Sequence, residues 1–481
     1  MEQTEKVPTT TAVVVGSGPN GLAAAIHLAR SGVDVQVLEA ESTLGGGARS
    51  GEKTVPGLIH DHCSAFHPMG YGSPVWAEFG LERHGLEWRW PEIDCAHPLD
   101  DGSAGLLFRS FEDTIAGLGT DGPRWRRLLS DLVSGYDNLA DDLLGPVLSM
   151  PRHPLRLAAF GPRALLPITF LGKIFRTQQA RALYGGVAAH LYDRWDRPLT
   201  GSLGLMILAA GHRFGWPVAH GGSGSITTAL EVELLAHGGT VRTDHLVTAR
   251  GDIPDADIVL LDTSPATAVD IYGDEMPQRM AKSFRRYRTG AAAYKVDLAI
   301  DGDIPWTNPD CGRAGTVHVS GTFEETRRAE AQVAAGHMPE RPFLLVGQQY
   351  LADPIRSSGT LNPIYAYAHV PNDHRGDATD AVLAQIERFA PGFTSRIVEL
   401  AVTTPADLEH HNPNYRGGDI LGGANNGLQV VFRPRIALDP YSLGIDGIYL
   451  CSQSTPPGAG IHGICGYNAA TSALRHLTAR R

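Results

Sequence analysis

Three glycines and a glutamate near the start of the chain have the types and spacing needed to hold a phosphorylated ligand. Gly16, Gly18 and Gly21 form a G-x-G-x-x-G pattern, and Glu39 lies 18 residues beyond the third glycine. Glycines at these positions allow a tight turn, close approach of the backbone to a pyrophosphate, and close packing of a helix. A carboxylate at this distance can accept hydrogen bonds from ribose hydroxyls. The pattern therefore predicts a dinucleotide site.

The elements that must position these residues occur in the same stretch. Residues 12–15 are a short β-branched run typical of a buried strand, and residues 33–38 form a second strand that ends at the glutamate. Between them a helix is predicted from Pro19 to Arg30, with proline in its first turn and Gly32 after its end. The N-terminus of that helix would face the phosphates, so Pro19 joins the glycines as a candidate contact.

The glycine pattern alone is weak evidence, because it also occurs at Gly117, Gly119 and Gly122. No apolar strand precedes this second match and Pro123 follows it, so a surface turn is predicted there. Only the first match has strand, turn, helix, strand and acid in order.

A second glycine cluster indicates which dinucleotide binds. After the glutamate the chain continues through Gly45, Gly46, Gly47 and Arg49. This segment resembles the GG motif of FAD-binding oxidoreductases: the glycines permit close backbone approach, and the arginine offers a forked donor to the pyrophosphate. The alternative is a flexible loop with a solvated arginine. FAD is the predicted cofactor.

Composition describes an ordinary globular protein with room for two domains. Of 481 residues, 42% are hydrophobic and 19% are charged. The balance of 52 acidic and 41 basic residues gives a formal charge of −11, which argues against nucleic acid as a partner. The first ten residues are polar, and no run of about 18 apolar residues occurs, so a cytoplasmic location is expected.

Neither the cysteines nor the clustered histidines predict a metal site. His60, His62 and His67 lie among prolines and glycines of a winding loop, without an i, i+4 pair on a helix, so a loop close to the cofactor is favoured over a metal site. The cysteines contain no Cys-x-x-Cys pair, which argues against a disulfide framework or a redox dithiol. They are Cys63, Cys95, Cys311, Cys451 and Cys465.

Residues 151–192 are basic and apolar and contain no acid until Asp193. Two interpretations stay open: a buried helical cap with solvated charges, or a surface that contacts a membrane or guards the entrance for a lipophilic substrate. The basic residues are Arg152, Arg156, Arg163, Lys173, Arg176 and Arg181.

Two later segments return to the nucleotide fold. A helix at 226–236, a strand at 240–249 and a buried strand at 257–263 are predicted, with Val247 as a candidate cofactor contact. At the end of the chain come a strand at 447–452, a glycine-rich loop and an amphipathic helix from 467 onward, which make a second anion-facing site. The candidate contacts in that loop are Gly460, His462 and Gly463.

A mainly antiparallel sheet is predicted from strands at 317–319, 343–346 and 364–370, together with an alternating strand at 291–300. Lys295 lies in the centre of the last of these strands. A lone lysine within a strand usually faces solvent.

Taken together, these blocks resemble the FAD-dependent phytoene-desaturase and amine-oxidase superfamily, and most closely the phytoene-dehydrogenase-like branch that contains the pyridine nucleotide-disulphide oxidoreductase domain-containing proteins. The resemblance covers nearly the whole chain, although the cysteine pair of disulphide reductases is absent. The strings that carry it are residues 60–62, 215–218 with 221–223, 304–306, 390–393, 412–415 with 417–419, 439–441, and 456–460 with 462–463.

The resemblance implies an α/β fold with a Rossmann-like FAD-binding domain of the GR2 type and an inserted α+β substrate domain. The FAD-binding domain is expected to be discontinuous, formed by residues 1–75, 215–275 and 420–481. Residues 76–214 and 276–419 then form the substrate or cap domain.

The resemblance also implies a chemistry. Related amine oxidases have a strand lysine in a similar context that holds a water near flavin N5, which makes Lys295 the candidate for proton movement or flavin reoxidation. The leading hypothesis is dehydrogenation of a lipophilic, carotenoid-like or isoprenoid-like small molecule by hydride transfer to the flavin. No second nucleotide fingerprint is present for NAD(P)H, so oxygen, a quinone or another carrier is the expected acceptor. Residues 348–350 and 357–362 depart from the pattern of the branch, which leaves the substrate open.

Two alternatives remain at this point. An amine oxidase would show an aromatic cage near the flavin, for which Tyr365, Tyr367 and Tyr467 are the candidates. A flavin-dependent double-bond isomerase or a non-catalytic flavin-binding protein would need no electron acceptor. A dimer is compatible with the sequence, as is peripheral contact with the inner face of a membrane.

Overall fold

The computed structural model describes residues 10–480, and its elements are numbered here in chain order. The strands are β1 Thr11–Val15, β2 Asp34–Leu38, β3 Ser50–Gly51, β4 His60–Asp61, β5 Trp88–Arg89, β6 Ile93–Pro98, β7 Ala104–Leu107, β8 Val218–Ala219, β9 Thr240–Arg242, β10 Ile258–Leu261, β11 Ala292–Asp301, β12 Ala314–Val319, β13 Leu344–Gly347, β14 Leu361–Val370, β15 Ile397–Thr403 and β16 Ile448–Leu450. The α-helices are α1 Pro19–Arg30, α2 Pro68–Tyr71, α3 Pro74–Phe79, α4 Phe111–Gly117, α5 Gly122–Ser134, α6 Tyr136–Leu143, α7 Pro154–Ala164, α8 Ile168–Leu171, α9 Gln178–Ala188, α10 Gly201–Phe214, α11 Gly224–Ala236, α12 Pro265–Tyr272, α13 Gln278–Arg285, α14 Phe323–Ala334, α15 Thr379–Phe389, α16 Pro405–His411 and α17 Ile464–Arg480.

A parallel five-stranded sheet forms the nucleotide-binding half. Its order is β16-β10-β1-β2-β9, and β1 pairs in parallel with both β2 and β10. Helices α1, α11 and α17 share one apolar core with one face of this sheet. Buried strands with helices on the faces are the architecture expected of a doubly wound sheet. The prediction of a Rossmann-like α/β fold is confirmed.

One strand prediction in this half is wrong in length. The segment predicted at 240–249 is a strand only over Thr240–Arg242. Asp244 has a φ of 53°, in the left-handed region that ends an extended strand, and the chain beyond it is a loop that carries Val247.

A seven-stranded sheet forms the second half, in the order β15-β11-β14-β13-β12-β6-β7. Every neighbouring pair is antiparallel except β6 with β12, which confirms the mainly antiparallel prediction. One face packs against α15, through residues that include Val382 and Phe389. The opposite face contributes Leu345 and Tyr365 to a core shared with α9 and α10. The exact domain boundaries stay a prediction.

Residues 111–214 form a helical cap over this sheet. Trp125 on α5, Tyr184 on α9 and Leu208 on α10 are buried in one cluster. The second G-x-G-x-x-G match ends α4 and begins α5, so no phosphate-binding strand–turn–helix unit forms there.

The stretch at 151–192 is buried in one part and exposed in another, and its contact with a membrane stays a prediction. Helix α9 is almost entirely buried, whereas Leu155 on α7 is 86% exposed and Phe170 on α8 is 54% exposed. Within residues 10–480 no single helix is long and apolar enough to cross a membrane, and α7 passes that test only together with Ile168–Ile174, at an angle of 86°.

Candidate functional site

The first glycine cluster forms a backbone cradle that side chains would fill. Gly16 has a φ of +98°, which favours glycine. A Cβ at Gly21 would lie 2.1 Å from the Gly16 carbonyl oxygen, and a Cβ at Gly18 would lie 2.6 Å from Oδ2 of Asp262. Pro19 begins α1 directly after the cradle. The three glycines and Pro19 therefore form the predicted turn between β1 and α1.

Glu39 follows β2 and is held in one orientation. Its Oε2 accepts hydrogen bonds from the Ser17 amide at 2.9 Å and the Ser17 hydroxyl at 2.5 Å, and its Oε1 accepts from the Glu41 amide at 3.0 Å. The side chain is 9% exposed. A carboxylate fixed in this way presents its remaining lone pairs to the adjoining cavity.

Arg49 is bonded to carbonyls of its own loop and to Glu39. Its Nη2 lies 3.3 Å from Oε1 of Glu39, and its Nε donates to the Leu44 carbonyl at 3.2 Å. Nη2 also donates to the Thr43 carbonyl. Only Nη1 has no bond to the described residues, so the forked pyrophosphate contact expected from the sequence would require Arg49 to change partners.

These residues line a cavity of about 150 Å³, called here the nucleotide cavity. Its wall brings together segments far apart in the sequence, because the carboxyl ends of β1, β2 and β10 meet at one edge of the parallel sheet. The predicted residues on its wall are Gly16, Gly18, Pro19, Glu39, Gly46, Gly47, Arg49 and Val247.

Asp262, at the end of β10, was missed by the sequence analysis. Its Oδ2 accepts from the Gly21 amide at 2.9 Å, at the N-terminus of α1. Burial raises the pKa of this carboxyl to about 7, partly offset by the Gly21 hydrogen bond. The sequence did contain one signal for Asp262: it is an acidic residue at the end of the strand predicted at 257–263.

A second cavity of about 330 Å³ adjoins the first and is called here the apolar cavity. The two share wall residues, including Pro19, Gly47 and Tyr415. Helices of the cap and the floor of the seven-stranded sheet enclose it, with Ile207, Leu345 and other apolar side chains on the wall. Among the described residues no aspartate or glutamate lines this cavity, whereas Lys295 and Arg433 do.

Lys295 lies on the wall of the apolar cavity and is only 3% exposed, so the expectation that a lone strand lysine faces solvent is wrong here. Its Nζ donates to the Asp61 carbonyl at 2.8 Å and to Asp297, and it lies 5.3 Å from the centre of the Tyr365 ring. Desolvation lowers the pKa of the lysine, and Asp297 opposes that effect. Two of its three ammonium hydrogens are thereby fixed.

One predicted residue of the C-terminal loop lines a cavity, and two others pack the loop against neighbouring segments. Gly460, with a φ of +142°, lines the apolar cavity. His462 lines neither cavity: its Nδ1 accepts from the Ile464 amide at 3.1 Å, and its carbonyl accepts from the Ser73 hydroxyl at 2.6 Å. A Cβ at Gly463 would lie 2.3 Å from Trp76, so Gly463 allows α17 to approach α3. Direct cofactor contact by His462 and Gly463 stays a prediction.

A buried arginine that the sequence analysis did not find ties the site together. Arg356 is fully buried, pairs with Asp61, and lies 3.0 Å from Asp353. It also donates to the Ala219 carbonyl at 2.8 Å, while Asp61 accepts from the Ser223 amide at 2.6 Å. This network joins the segments at 60–62 and 215–223.

The three tyrosines predicted to form an aromatic cage do not all lie together. Tyr365 and Tyr367 line the apolar cavity with nearly parallel rings, at an interplanar angle of 7° and 6.3 Å apart. Tyr467 lies outside it and donates to Glu78 at 2.9 Å, so its assignment to an aromatic cage is wrong.

The three histidines of the winding loop have separate partners. His60 is hydrogen-bonded to Thr54, the His62 ring lies against the His411 ring at a tilt of 35°, and His67 is hydrogen-bonded to Ser223. In the part of the chain that the structure describes, no group of three or more His, Cys, Asp or Glu residues could hold a metal ion.

Comparison with known proteins agrees with this architecture. Residues 14–79 match the family model of the NAD(P)-binding Rossmann-like domain. The chain is 24% identical to pyridine nucleotide-disulfide oxidoreductase domain-containing protein 2 of Rattus norvegicus, over 98% of this chain and 94% of that protein. It is 26% identical to hydroxyneurosporene desaturase of Cereibacter sphaeroides, over 97% of this chain and 98% of the desaturase.

Solved structures show the same fold at low sequence identity. Wild-type putrescine oxidase bound to putrescine superposes with a TM-score of 0.62 and 16% identity, over 98% of this chain and all of that one. The full-length relatives and the shared architecture together support placing this chain in the superfamily of FAD-dependent desaturases and amine oxidases.

Proposed function

We propose that this protein is an FAD-dependent dehydrogenase that desaturates a lipophilic small molecule. One observation carries the proposal: a cavity lined by the glycine cradle and the Glu39 carboxylate adjoins an apolar cavity that holds a buried lysine. A dinucleotide whose reactive ring must meet an apolar substrate needs two such cavities in contact.

The residues present fit FAD. The glycine cradle excludes side chains at the positions where a pyrophosphate would approach, and the Glu39 carboxylate is preset to accept from ribose hydroxyls. Gly46 has a φ of +54°, and its Cβ would lie 3.2 Å from the Gly18 Cα, so the second glycine cluster packs directly on the first. Residues proposed to hold the cofactor are Gly16, Gly18, Pro19, Gly21, Glu39, Gly46, Gly47, Arg49, Val247 and Gly460.

Bound FAD would supply a hydride acceptor, and the chain supplies the surroundings. The apolar wall excludes water from the substrate and orients it. Lys295, fixed by Asp297 and the Asp61 carbonyl, keeps one ammonium hydrogen for the cavity. We assign it to hold a water or move a proton during oxidation or reoxidation. Oxygen or a quinone is proposed as the electron acceptor.

A flavin amine oxidase is the second candidate. The parallel pair of Tyr365 and Tyr367 and the fold of putrescine oxidase favour it. The described wall of the cavity opposes it, because it offers no carboxylate to pair with a cationic amine. Desaturation of a neutral substrate therefore has the stronger support.

Anaerobic mixing of the holoprotein with a carotenoid, a fatty-acyl ester and an amine tests these alternatives. Bleaching of the flavin by the carotenoid or the acyl ester supports desaturation, and bleaching by the amine alone replaces it with amine oxidation. A flavin that stays oxidised while a substrate double bond moves would show isomerisation instead. As a site control, Glu39→Gln is expected to lose FAD, whereas exposed Glu82→Gln should retain it.

A further inference from the structure

Lysine is rare in this chain, and two of its lysines meet at one buried carboxylate. Five of the 41 basic residues are lysines. Lys295 donates to Oδ1 of Asp297, and Nζ of Lys53 lies 3.5 Å from Oδ2 of the same carboxylate. An arginine stays charged in proteins, whereas a lysine can lose its proton when it is buried. The two lysines on Asp297 are therefore placed where loss of a proton can serve the chemistry.

With both lysines protonated, the surroundings of Asp297 would carry an excess of positive charge. Asp297 is fully buried on β11. Asp61, whose carbonyl accepts from Lys295, has its own carboxylate paired with Arg356. One carboxylate balances one ammonium, so a second buried ammonium would be left without a counter-charge, which is costly.

The two lysines differ in their access to water. The side chain of Lys295 is 3% exposed, whereas that of Lys53 is 18% exposed. Desolvation lowers the pKa of Lys295, Asp297 opposes that effect, and the charge of Lys53 lowers the pKa further. Because water stabilises the charge of Lys53 better, Lys295 is the lysine that gives up its proton first.

Loss of one proton leaves Lys295 with its hydrogen bonds complete. A neutral amine has two hydrogens, and Lys295 has two acceptors, the Asp61 carbonyl at 2.8 Å and the Asp297 carboxylate. The lone pair replaces the third hydrogen, for which no described residue is an acceptor, and Lys295 lines the apolar cavity. An amine in this state can take a proton from a bound substrate.

The other titratable groups around Lys295 do not replace the charge of Lys53. His60 Nδ1 lies 3.5 Å from Oδ1 of Asp297, and its Nε2 is hydrogen-bonded to Thr54. Four further neighbours are uncharged at pH 7, because burial lowers the pKa of the histidine to about 3 and raises the pKa of the thiol and of both phenols: His62, Cys63, Tyr365 and Tyr367.

We propose that Lys53 is a positioning residue: by sharing Asp297 with Lys295, it favours the free amine of Lys295, whose lone pair accepts the proton that dehydrogenation releases. The inference rests on the proposed function and adds a residue that touches neither cavity wall. The proton passes from the substrate to Nζ of Lys295, and no other bond of the lysine changes.

The ionisation of Lys295 can be measured without turnover. Lysine labelled with 13C at Cε gives few NMR signals in this chain, and the signal of Lys295 is assigned by its loss in Lys295→Arg. In a pH titration of the holoprotein, Lys295 is expected to titrate below the ordinary lysine value of about 10.4. Lys53→Met should raise its midpoint by about one pH unit, because the removed cation disfavoured the charged form.

Two variants serve as controls for this titration. Lys53→Arg keeps the charge beside Asp297, and Lys282→Met removes an exposed lysine of α13. Neither should move the midpoint of Lys295. Lys53→Met leaves Asp297 paired with Lys295, so all three variants are expected to fold.

The pH dependence of flavin bleaching tests the role of the amine in the reaction. Single-turnover bleaching is followed anaerobically with the carotenoid, the fatty-acyl ester and the amine. Proton acceptance needs the free amine, so the rate should rise with pH through the midpoint of Lys295. In Lys53→Met this rise should move to higher pH by the same amount as the NMR midpoint, and in Lys53→Arg it should stay in place.

An unchanged midpoint of Lys295 in Lys53→Met, or a wild-type midpoint at or above the ordinary lysine value, would overturn the proposal. A bleaching profile that stays in place while the midpoint moves would also overturn it, because Lys295 would then not accept the proton. If none of the three compounds bleaches the flavin, the proposed function fails, and the NMR midpoints still decide whether Lys53 controls the charge of Lys295.

Discussion

At the scale of single residues, the site depends on acids and bases whose protonation is set by burial. Asp262 at the N-terminus of α1 and Lys295 beside Asp297 are the clearest examples. Spacing alone identified Glu39 and the glycines, because each has a fixed place in a local motif. It could not identify Asp262, whose partner Gly21 is 241 residues away. Lys295 was found through resemblance, and its burial depends on contacts across the sheet.

Asp262→Asn is expected to remove a pH-dependent cost of folding. Burial raises the pKa of this carboxyl from 3.8 to about 7, so the unfolded chain releases its proton at lower pH than the folded chain. Wild-type stability should therefore fall between about pH 4 and 7 relative to the variant, by on the order of 4 kcal/mol. Denaturant unfolding of both proteins at several pH values measures this difference. A difference that does not change with pH would contradict the assignment.

Lys295→Met should lower the free energy of unfolding by about 3 to 5 kcal/mol, because it removes the main counter-charge of buried Asp297. Adding Asp297→Asn removes the stranded charge, so the double variant is expected to recover most of the stability and to retain FAD. Its turnover or reoxidation should stay slow. Unfolding free energies and stopped-flow flavin kinetics are the two measurements, and wild-type kinetics in the double variant would assign Lys295 a structural role only.

At the scale of elements, short-range signals located most strands and helices well, whereas long-range contacts decided how they meet. The predicted helices at 19–30 and 379–389 match α1 and α15, since caps, prolines and apolar periodicity mark their ends. The strand predicted at 240–249 failed because Asp244 turns the chain after three residues. The clamp of Arg356 on Asp61 spans 295 residues and leaves no local signal.

Arg356→Met should destabilise the junction between β4, β8 and the start of α11. Removing the guanidinium leaves buried Asp61 without a cationic partner and Asp353 paired only with His220, at a cost of about 3 to 5 kcal/mol. Arg327→Met provides the control, because Arg327 forms an exposed pair with Glu324 and should change stability by less than about 1 kcal/mol. Thermal and denaturant unfolding compare the two, and equal small losses would show that the buried network contributes little.

Helices α7 and α8 are proposed as a membrane-contact surface. Met150, Leu155, Leu165 and Phe170 are more than half exposed in a stretch that carries six basic residues and no acid. An exposed apolar surface with basic neighbours suits an anionic bilayer. We expect cosedimentation with phosphatidylglycerol vesicles, weakened at least fivefold in a Leu155→Ser, Phe170→Ser variant. Leu235→Ser, at a similarly exposed site on α11, is the control. Equal vesicle binding by all three proteins would contradict this surface.

At the scale of the whole molecule, two sheets from interleaved segments bring the nucleotide cavity against the apolar cavity. The fold class could be predicted because the βαβ unit and the later strand–loop–helix blocks each have local signatures. The substrate could not, because the wall of the apolar cavity is assembled from the cap, four strands of the second sheet and the C-terminal loop.

The visible absorption spectrum of the purified protein tests the central claim most directly. The account predicts the absorption bands of oxidised flavin, with about one FAD released per chain on denaturation. A colourless protein that gains no flavin bands after incubation with FAD would contradict the assignment of both cavities, and with it the proposed dehydrogenase.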